Sequence, residues 1–274
     1  MCDGPRRSRR ASGSIAAMYR RHLIVALVAG CGSVKGPTPT PDATPDAPAT
    51  VHLMEGCIYK AAMDETAWPA TGKPVLDSCG MDSGALSGTG AAPTHDATRG
   101  QVGSFSNNAC IDIANAADLH AMGALTMSAW VQPINLDGTT SNGILSKRVD
   151  KGMASEYGLF IWTHNHVWID LGDERYEGAF VMSDNKWTQI TAIFDGSKTD
   201  PDRVRLFING SRDQVAHDTT GTLGTTLPNT TAPLHLGCTP APSAGTQQTF
   251  QGLLDDVTIW NRALDDDEIA FLAK

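Results

Sequence analysis

The sequence predicts an all-β domain after residue 50, and three observations support this. Apolar and polar side chains alternate in several short segments, which is the period of a half-buried strand. Asn209-Gly210 follows one such segment and suits the positive φ angles of a tight hairpin turn. The chain has 27 glycines and only 19% charged residues, which is typical of proteins built from strands and turns. About 220 residues is a common length for a single all-β domain.

Residues 187–195 and 203–210 predict the two strands of one hairpin. In both segments, apolar side chains recur at every second position. We therefore expect one face of each strand to lie in the core. The core-facing residues are predicted to be Ile190, Ala192, Phe194, Val204, Leu206 and Ile208.

Residues 160–169 predict a second hairpin, with its turn near His164-Asn165. Trp162 and Trp168 would then be cross-strand neighbours, and aromatic pairs of this kind stabilise sheets. We assign the remaining strand tryptophans to the core: Trp130, Trp187 and Trp260.

The last segment, residues 250–274, combines an apolar strand with a short helix. The strand carries the acidic pair Asp255-Asp256, and a turn follows at Asn261-Arg262. Residues 265–268 are acidic and should begin the helix, because negative side chains favour the positive end of the helix dipole. The helix residues expected to pack on the sheet are Ile269, Phe271 and Leu272.

This last segment resembles the closing segment of LamG-like jelly-roll domains, which have the concanavalin A-like lectin/glucanase architecture. In that family an Asp-Asp pair precedes an Asn-Arg-Ala-Leu turn and an acidic helix. Further segments resemble family motifs in the expected order: residues 59–65, 77–80, 125–133, 144–147, 157–160 and 187–210. The resemblance covers residues 51–274. It implies a two-sheet antiparallel jelly-roll sandwich with a short C-terminal helix.

Residues 18–31 have the features of an export signal. Arg20 and Arg21 precede an apolar run too short to span a bilayer. Val28-Ala-Gly-Cys31 fits the lipobox of bacterial lipoproteins, in which the cysteine is acylated. We therefore divide the chain into a signal region at 1–30, a lipidated Cys31 with a proline-rich tether at 31–50, and a domain at 51–274. Met18 is the favoured translation start, and a chance apolar run beside a cysteine is the alternative reading.

The charge balance narrows the class of partner. Residues 1–30 hold six of the 21 basic residues and one of the 30 acidic residues, so the remainder has a formal net charge of −14. An acidic, exported domain argues against nucleic acid, despite the four arginines between residues 6 and 10. We expect a glycan or an envelope protein as partner. Membrane contact would come only through the N-terminal lipid anchor, at the bacterial cell surface or outer membrane.

Four cysteines of the predicted domain imply two disulfides in an oxidising compartment: Cys57, Cys79, Cys110 and Cys238. Four cysteines allow three pairings. We favour Cys57–Cys79, which would join the opening strand to the Asp-Ser-Cys-Gly turn, and Cys110–Cys238, which would join two strands distant in sequence. A zinc site is the alternative, although the chain lacks any C-x-x-C pair.

An enzymatic role finds little support in the sequence. Glycoside hydrolases of this architecture need two facing carboxylates, in a Glu-x-Asp-x-x-Glu signature that is missing here. The acidic cluster at residues 170–174 contains Gly172 and is interpreted as a solvated turn. We expect a non-enzymatic binding module. A glycoside-acting enzyme with unrecognised catalytic residues and a purely structural envelope module remain the alternatives.

The resemblance also implies a structural calcium site, which many relatives form from opening-segment acids and an aspartate of the closing strand. Here Asp64, Asp77 and Asp256 occupy those positions. The chain has no dense D-x-D-x-D loop, the usual signature of a calcium loop. The alternative is that Asp255 and Asp256 only shape the strand and its turn.

Sugars stack their apolar faces on exposed aromatic rings. The aromatic candidates are Tyr157, Trp162, Trp168 and Tyr176, with His164, His166 and Asp173 as hydrogen-bonding neighbours. Tryptophans in strands are often core residues, so both roles stay open for Trp162 and Trp168. The two histidines would need a third ligand to hold a metal, and none is apparent in the sequence, so we interpret them as turn residues.

Overall fold

The computed structural model describes residues 53–106, 108–120, 123–150, 153–241 and 246–274. The predicted signal region at 1–30 and the tether at 31–50 lie outside these residues. The strands, in chain order, are β1 (Cys57–Ala61), β2 (Ala85–Ser87), β3 (Ala91–Asp96), β4 (Gly100–Phe105), β5 (Cys110–Ile113), β6 (Ala124–Pro133), β7 (Asn142–Asp150), β8 (Met153–Trp162), β9 (His166–Leu171), β10 (Glu174–Val181), β11 (Thr188–Asp195), β12 (Val204–Ile208), β13 (Ser211–Asp213), β14 (Val215–His217), β15 (Leu234–Leu236), β16 (Cys238–Ala241), β17 (Thr246–Thr249) and β18 (Gly252–Trp260). Short 3₁₀ turns occupy Ala117–Leu119 and Thr163–Asn165, and the C-terminal α-helix, α1, covers Asp266–Leu272.

These strands form two sheets, as the predicted sandwich requires. Sheet A has the order β13-β12-β11-β6-β18-β4-β3, with β1 also paired to β18. Sheet B has the order β14-β10-β9-β8-β7-β15-β5-β2 and also includes β16 and β17. The pairings between these strands are antiparallel, apart from a parallel bridge between Thr249 and Gly143. The β8–β9 and β11–β12 hairpins confirm the two hairpins predicted from alternation.

The main core lies between the two sheets, where both contribute their apolar faces. Tyr59 and Leu125 of sheet A and Leu159 of sheet B are fully buried in it. All six residues predicted to face the core from β11 and β12 belong to this cluster. The alternation of a half-buried strand therefore assigned the inner face of sheet A correctly.

A bulge interrupts the central strand of sheet A. β18 pairs with β4 through residues 252–254 and with β1 through residues 257–260. Between these stretches the register with β6 shifts, and Asp256 adopts a φ of 47°. Such a left-handed residue marks an irregular position in a strand. The acidic pair Asp255-Asp256 thus lies where β18 changes its neighbour.

Helix α1 covers a second, smaller apolar cluster on the outer face of sheet A. Asp265 caps the helix by accepting from the Glu268 backbone N–H at 2.9 Å, while the Glu268 carboxylate accepts from the Asp265 N–H at 3.0 Å. Ile269 is 1% exposed, as predicted. Phe271, expected to be buried, is 37% exposed, because it lies on the side of this short helix that turns away from the sheet. No helix among the described residues is long and apolar enough to cross a bilayer.

Two disulfides tie the sandwich together. Cys57–Cys79 spans 22 residues, and Cys110–Cys238 joins β5 to β16 across 128 residues of sequence. These are the pairings favoured from the sequence. Because the second one closes a long loop, it restricts the unfolded chain strongly.

Candidate functional site

The outer face of sheet B carries the best candidate site, and strand alternation forms it. Leu159, Ile161 and Ile169 point into the core. Their neighbours on β8 and β9 therefore point outward. The residues lining a cavity of about 320 Å³ on this face, the sheet B cavity, are Ser141, Arg148, Ser155, Phe160, Trp162, Asp170, Gly172, Asp173, Arg175, Thr219 and Gln248.

Asp170 lies between two arginines at the base of this cavity. Its carboxylate accepts from Arg175 Nε at 2.7 Å and Nη2 at 3.1 Å, and from Arg148 Nη1 at 2.9 Å. All three side chains are largely removed from water, and the two guanidinium groups compensate the buried negative charge. Burial and the nearby Arg175 charge lower the pKa of Arg148, while Asp170 offsets part of this effect. The cluster is a rigid, polar base for the cavity.

One wall of the sheet B cavity is aromatic. The Trp162 and Trp168 rings lie 5.2 Å apart, which confirms the predicted cross-strand contact. Trp162 is only partly buried and donates from Nε1 to the Thr139 carbonyl at 2.9 Å. The guanidinium carbon of Arg175 lies 5.3 Å from the Phe160 ring and 5.4 Å from the Trp162 ring. Cation–π contacts at this distance help to hold the Trp162 ring in place.

Two serines leave hydroxyl groups for a ligand. Ser141 is 4% exposed and Ser155 is 3% exposed. Within the described residues, neither buried hydroxyl has a hydrogen-bond partner, although both line the cavity. Buried polar groups are nearly always satisfied in folded proteins. A ligand with its own hydroxyl groups would satisfy both serines.

The aromatic residues predicted for this surface divide between cavity and core. Trp162 and Asp173 line the cavity, and Trp168 lies largely buried behind Trp162. Tyr157 points into the core, because it occupies an odd-numbered position of β8. It donates to the Leu119 carbonyl at 2.8 Å, and burial raises its pKa well above the usual range. Tyr176 is also a core residue, stacked on His217 at 4.5 Å.

The acidic cluster at residues 170–174 differs from its prediction. Gly172, with a φ of 61°, does form the turn between β9 and β10. Asp173 is exposed there, as a solvated turn residue should be. Asp170, however, is 4% exposed and held by two arginines, because it is an outward residue of β9 covered by long neighbouring side chains. Sequence reasoning missed Arg148 and Arg175. The turn at Gly172 sets Arg175 opposite Asp170, so that contact could have been found, whereas Arg148 reaches Asp170 only because β7, β8 and β9 are adjacent.

The histidines predicted as turn residues lie beside the cavity. His164 belongs to the 3₁₀ turn between β8 and β9, and His166 begins β9. The Glu177 carboxylate lies 2.8 Å from His166 Nδ1 and 3.5 Å from His164 Nδ1. Glu177 is thus the third candidate ligand that was not apparent in the sequence.

The three acids predicted to bind calcium have other partners. Asp256 pairs with Lys60 Nζ and with Arg99 Nη2, each at 3.0 Å. Asp77 accepts from the backbone N–H groups of Lys60 at 3.0 Å and Cys79 at 2.9 Å, and Asp64 is exposed. These acids are not among the described groups of three or more potential ligands whose atoms lie within 4.8 Å of one another. The calcium site stays a prediction.

The fold and the family agree. The Laminin_G_3 family model, described as the concanavalin A-like lectin/glucanases superfamily, matches residues 105–270. The chain therefore belongs to this superfamily, as the sequence motifs predicted. No curated protein matches the chain.

Solved structures share the architecture at low sequence identity. Domain 4 of AbnA, a GH43 extracellular arabinanase from Geobacillus stearothermophilus, solved with arabinotriose, is 18% identical with a TM-score of 0.54; the match covers 80% of this chain and 98% of that one. The botulinum neurotoxin serotype D ligand binding domain, solved with N-acetylneuraminic acid, is 14% identical with a TM-score of 0.57, over 82% of this chain and 52% of that one. The binding domain of Paraclostridial Mosquitocidal Protein 1 is 14% identical with a TM-score of 0.55, over 81% and 52%. The chain thus spans about half of each toxin domain, and these likenesses establish the fold alone.

Proposed function

We propose that the protein is a non-catalytic binding module that holds a neutral carbohydrate in the sheet B cavity. The observation that carries this proposal is the pairing of a partly exposed Trp162 ring with two buried, unpartnered hydroxyls, those of Ser141 and Ser155. An aromatic ring suits the apolar face of a sugar, and the serines suit its hydroxyl groups.

The charges in the cavity support a neutral ligand. Arg148 and Arg175 contribute two positive charges, and Asp170 and Asp173 contribute two negative charges. A cavity of about 320 Å³ is in the range of small-molecule sites. This favours a sugar over the envelope-protein ligand that the sequence left open. Two structural neighbours were solved with a bound carbohydrate, arabinotriose in one and N-acetylneuraminic acid in the other, which is consistent with glycan binding by this fold.

The contacts of the Asp170 carboxylate support a binding role for the cavity over glycoside hydrolysis. A glycoside hydrolase needs one carboxylic acid and one free carboxylate on opposite sides of the scissile bond. Both oxygens of Asp170 are engaged by guanidinium groups, and Asp173 is a solvated turn residue. The cavity therefore offers hydrogen-bonding groups and an aromatic surface, without a suitable catalytic pair.

We also propose that the domain is displayed outside the cytoplasm on an acylated Cys31. The two disulfides support export, because such bonds persist in oxidising compartments. The tether would place the cavity away from the membrane, where soluble or wall-bound glycans are accessible.

A glycan array, followed by calorimetry on the best ligands, tests the binding proposal. Trp162→Ala and the double change Ser141→Ala/Ser155→Ala should each weaken binding at least tenfold. Trp187→Ala is the matched control, because it removes a half-buried tryptophan from the opposite sheet. Each variant must keep the wild-type circular dichroism spectrum. Failure to bind any glycan, or equal affinity of the wild type and the Trp162 variant, would sink the proposal. Release of reducing sugar from bound glycans would instead favour the enzyme.

A further inference from the structure

Three potential metal ligands meet at the turn end of the β8–β9 hairpin in sheet B. His166 Nδ1 and His164 Nδ1 lie 2.8 Å and 3.5 Å from the same Glu177 oxygen. One ligand atom from each residue lies within 4.8 Å of the other two. We propose that His164, His166 and Glu177 bind a borderline divalent cation of the Zn²⁺ class. This inference is independent of the proposed carbohydrate site.

The chemistry and spacing of the three ligands suit zinc. Zinc takes imidazole nitrogen and carboxylate oxygen at about 2.0–2.2 Å in tetrahedral geometry, which places neighbouring ligand atoms roughly 3.3–3.5 Å apart. The observed separations, 2.8 Å and 3.5 Å, need only a small side-chain adjustment to reach this geometry. Calcium and magnesium prefer oxygen ligands, so two histidines favour a transition metal. Three protein ligands leave a fourth position for water or a ligand atom.

Backbone hydrogen bonds fix the main-chain positions that carry these ligands without the metal. His164 and Asn165 have φ angles of 63° and 60°, which make a tight turn. The His164 N–H donates to the Gly138 carbonyl at 3.1 Å, and the Asn165 carbonyl accepts from the Met182 N–H at 2.8 Å. The other two ligands lie on β9 and β10. The main chain that carries the three ligands is therefore already in place before the metal binds, and such pre-organisation favours tight binding.

Other histidines in the described part of the chain lack this arrangement. His217 pairs with Glu174 alone among potential ligands, and His120 pairs with Glu156. The second described group of three potential ligands, Cys110, His235 and Cys238, has both sulfurs in a disulfide and cannot offer thiolates. Two histidines converging on one carboxylate distinguish the His164 site from an ordinary surface ion pair.

The proposed metal site lies beside Trp162 and Trp168, so tryptophan fluorescence can report metal binding there. His166 is the cross-strand partner of Trp162, and Trp168 is the cross-strand partner of Glu177. A paramagnetic divalent ion such as Cu²⁺ or Ni²⁺ in this site should quench tryptophan fluorescence by direct proximity. The response would report occupancy at this place in the fold.

The test is calorimetry with ZnCl₂ on the tag-free chain, which is first treated with an alkylating reagent so that no thiol competes for the metal. We expect one Zn²⁺ per chain. His166→Ala and Glu177→Gln should each weaken binding by at least about tenfold, since even the outer partners of metal ligands contribute about 10–100-fold. His217→Ala is the matched control, as it removes an ion-paired histidine from the same sheet, and it should bind zinc like the wild type. Ni²⁺ should quench fluorescence in the wild type and the control only.

Two results would overturn the proposal. One is the lack of zinc binding by the alkylated wild type at neutral pH, which would leave His164, His166 and Glu177 as an ion-paired cluster. The other is equal zinc affinity of the wild type and the His166 and Glu177 variants, which would place the metal elsewhere. Near-ultraviolet circular dichroism of each variant keeps misfolding from imitating a lost site.

Discussion

The Nε atom of Arg99 lies 2.6 Å from a carboxylate oxygen of Asp255, at the bulge of β18. The same guanidinium group lies 4.2 Å from the Trp130 ring and 5.6 Å from the Trp187 ring. The sequence assigned both tryptophans to the core, but they are half-buried on the outer face of sheet A. There they shield the arginine from water, which strengthens its attraction to Asp255.

The environment of Asp255 predicts a pH-dependent stability. Burial first, and then the Asp256 charge, raise the pKa of Asp255 to about 7, although Arg99 acts in the opposite direction. Unfolded aspartate has a pKa of about 3.9. Between these values the folded state keeps a proton that the unfolded state releases, so the free energy of unfolding falls as the pH rises through this window.

Asp255→Asn should remove the part of the pH-dependent stability that comes from protonation of Asp255. We expect a flatter pH dependence of the free energy of unfolding between about pH 4 and pH 7, measured by urea titration at several pH values. Asp202→Asn, at an exposed carboxylate, is the control and should keep the wild-type slope. Parallel curves for the wild type and Asp255→Asn would show that Asp255 is ionised throughout.

The Lys147–Glu156 pair predicts a large loss of stability on substitution. The two side chains are 0% and 1% exposed, and Lys147 Nζ lies 3.0 Å from a Glu156 oxygen. Glu156→Gln leaves a buried ammonium group without its counter-charge, which should cost about 3–5 kcal/mol. Adding Lys147→Met should recover part of this loss.

Urea unfolding measures this effect. Asp202→Asn again serves as control, because its pair with Arg212 is exposed and should contribute less than about 1 kcal/mol. A loss for Glu156→Gln no greater than that of the control would contradict the proposed dependence of Lys147 on its carboxylate.

The calcium hypothesis predicts a lower melting temperature in a chelator, restored by Ca²⁺. A ligand that binds only the native state stabilises it by about 2.7 kcal/mol at a hundredfold excess over its dissociation constant. Asp256→Asn should abolish the response. If Asp256 only forms ion pairs with Lys60 and Arg99, Asp256→Asn should change the stability, but the chelator should leave the melting temperature of the wild type unchanged. Because a chelator also removes zinc, the His166→Ala variant must be measured in parallel.

The anchor hypothesis predicts that Cys31→Ser releases the protein from membranes into the soluble fraction. Acylation needs the cysteine sulfur, so the serine chain should also lose incorporation of labelled palmitate. Thr38→Ala, in the tether, is the control, because it leaves the lipobox intact, and it should stay with the membrane. A wild-type chain that never incorporates palmitate is not a lipoprotein of this type.

The fold was predictable because its signals are local. Alternation identified β11 and β12, and the turn residues His164-Asn165 located the β8–β9 hairpin. The motifs of the closing strand then placed these elements in a known architecture. A strand pattern identifies which residues share a face, and in this chain it did so correctly for the inner face of sheet A.

The site was less predictable because it depends on which strands are neighbours. Arg148 and Asp170 are 22 residues apart and meet only because β7, β8 and β9 are adjacent. Glu177 could have been found, since the turn at Gly172 sets Leu171 opposite Glu174 and therefore Trp168 opposite Glu177. Along β8, odd-numbered residues face the core and even-numbered residues face outward. The same alternation would therefore have placed Tyr157 in the core and Trp162 on the outer face. Burial of outward-facing residues such as Asp170, in contrast, depends on long side chains from neighbouring strands that cover them, and alternation along one strand does not reveal these.

The position of β18 affects how the protein is made. This strand fills the middle of sheet A between β6 and its other neighbours, yet it is synthesised after all of them. Until residues 252–260 emerge, β6, β1 and β4 present unpaired strand edges, which invite association with other chains. The sheet cannot close early, and most of its pairings are distant in sequence, a pattern associated with slow folding. Until β18 is available, the exposed edges of β6, β1 and β4 leave the chain open to pairing with other copies of itself.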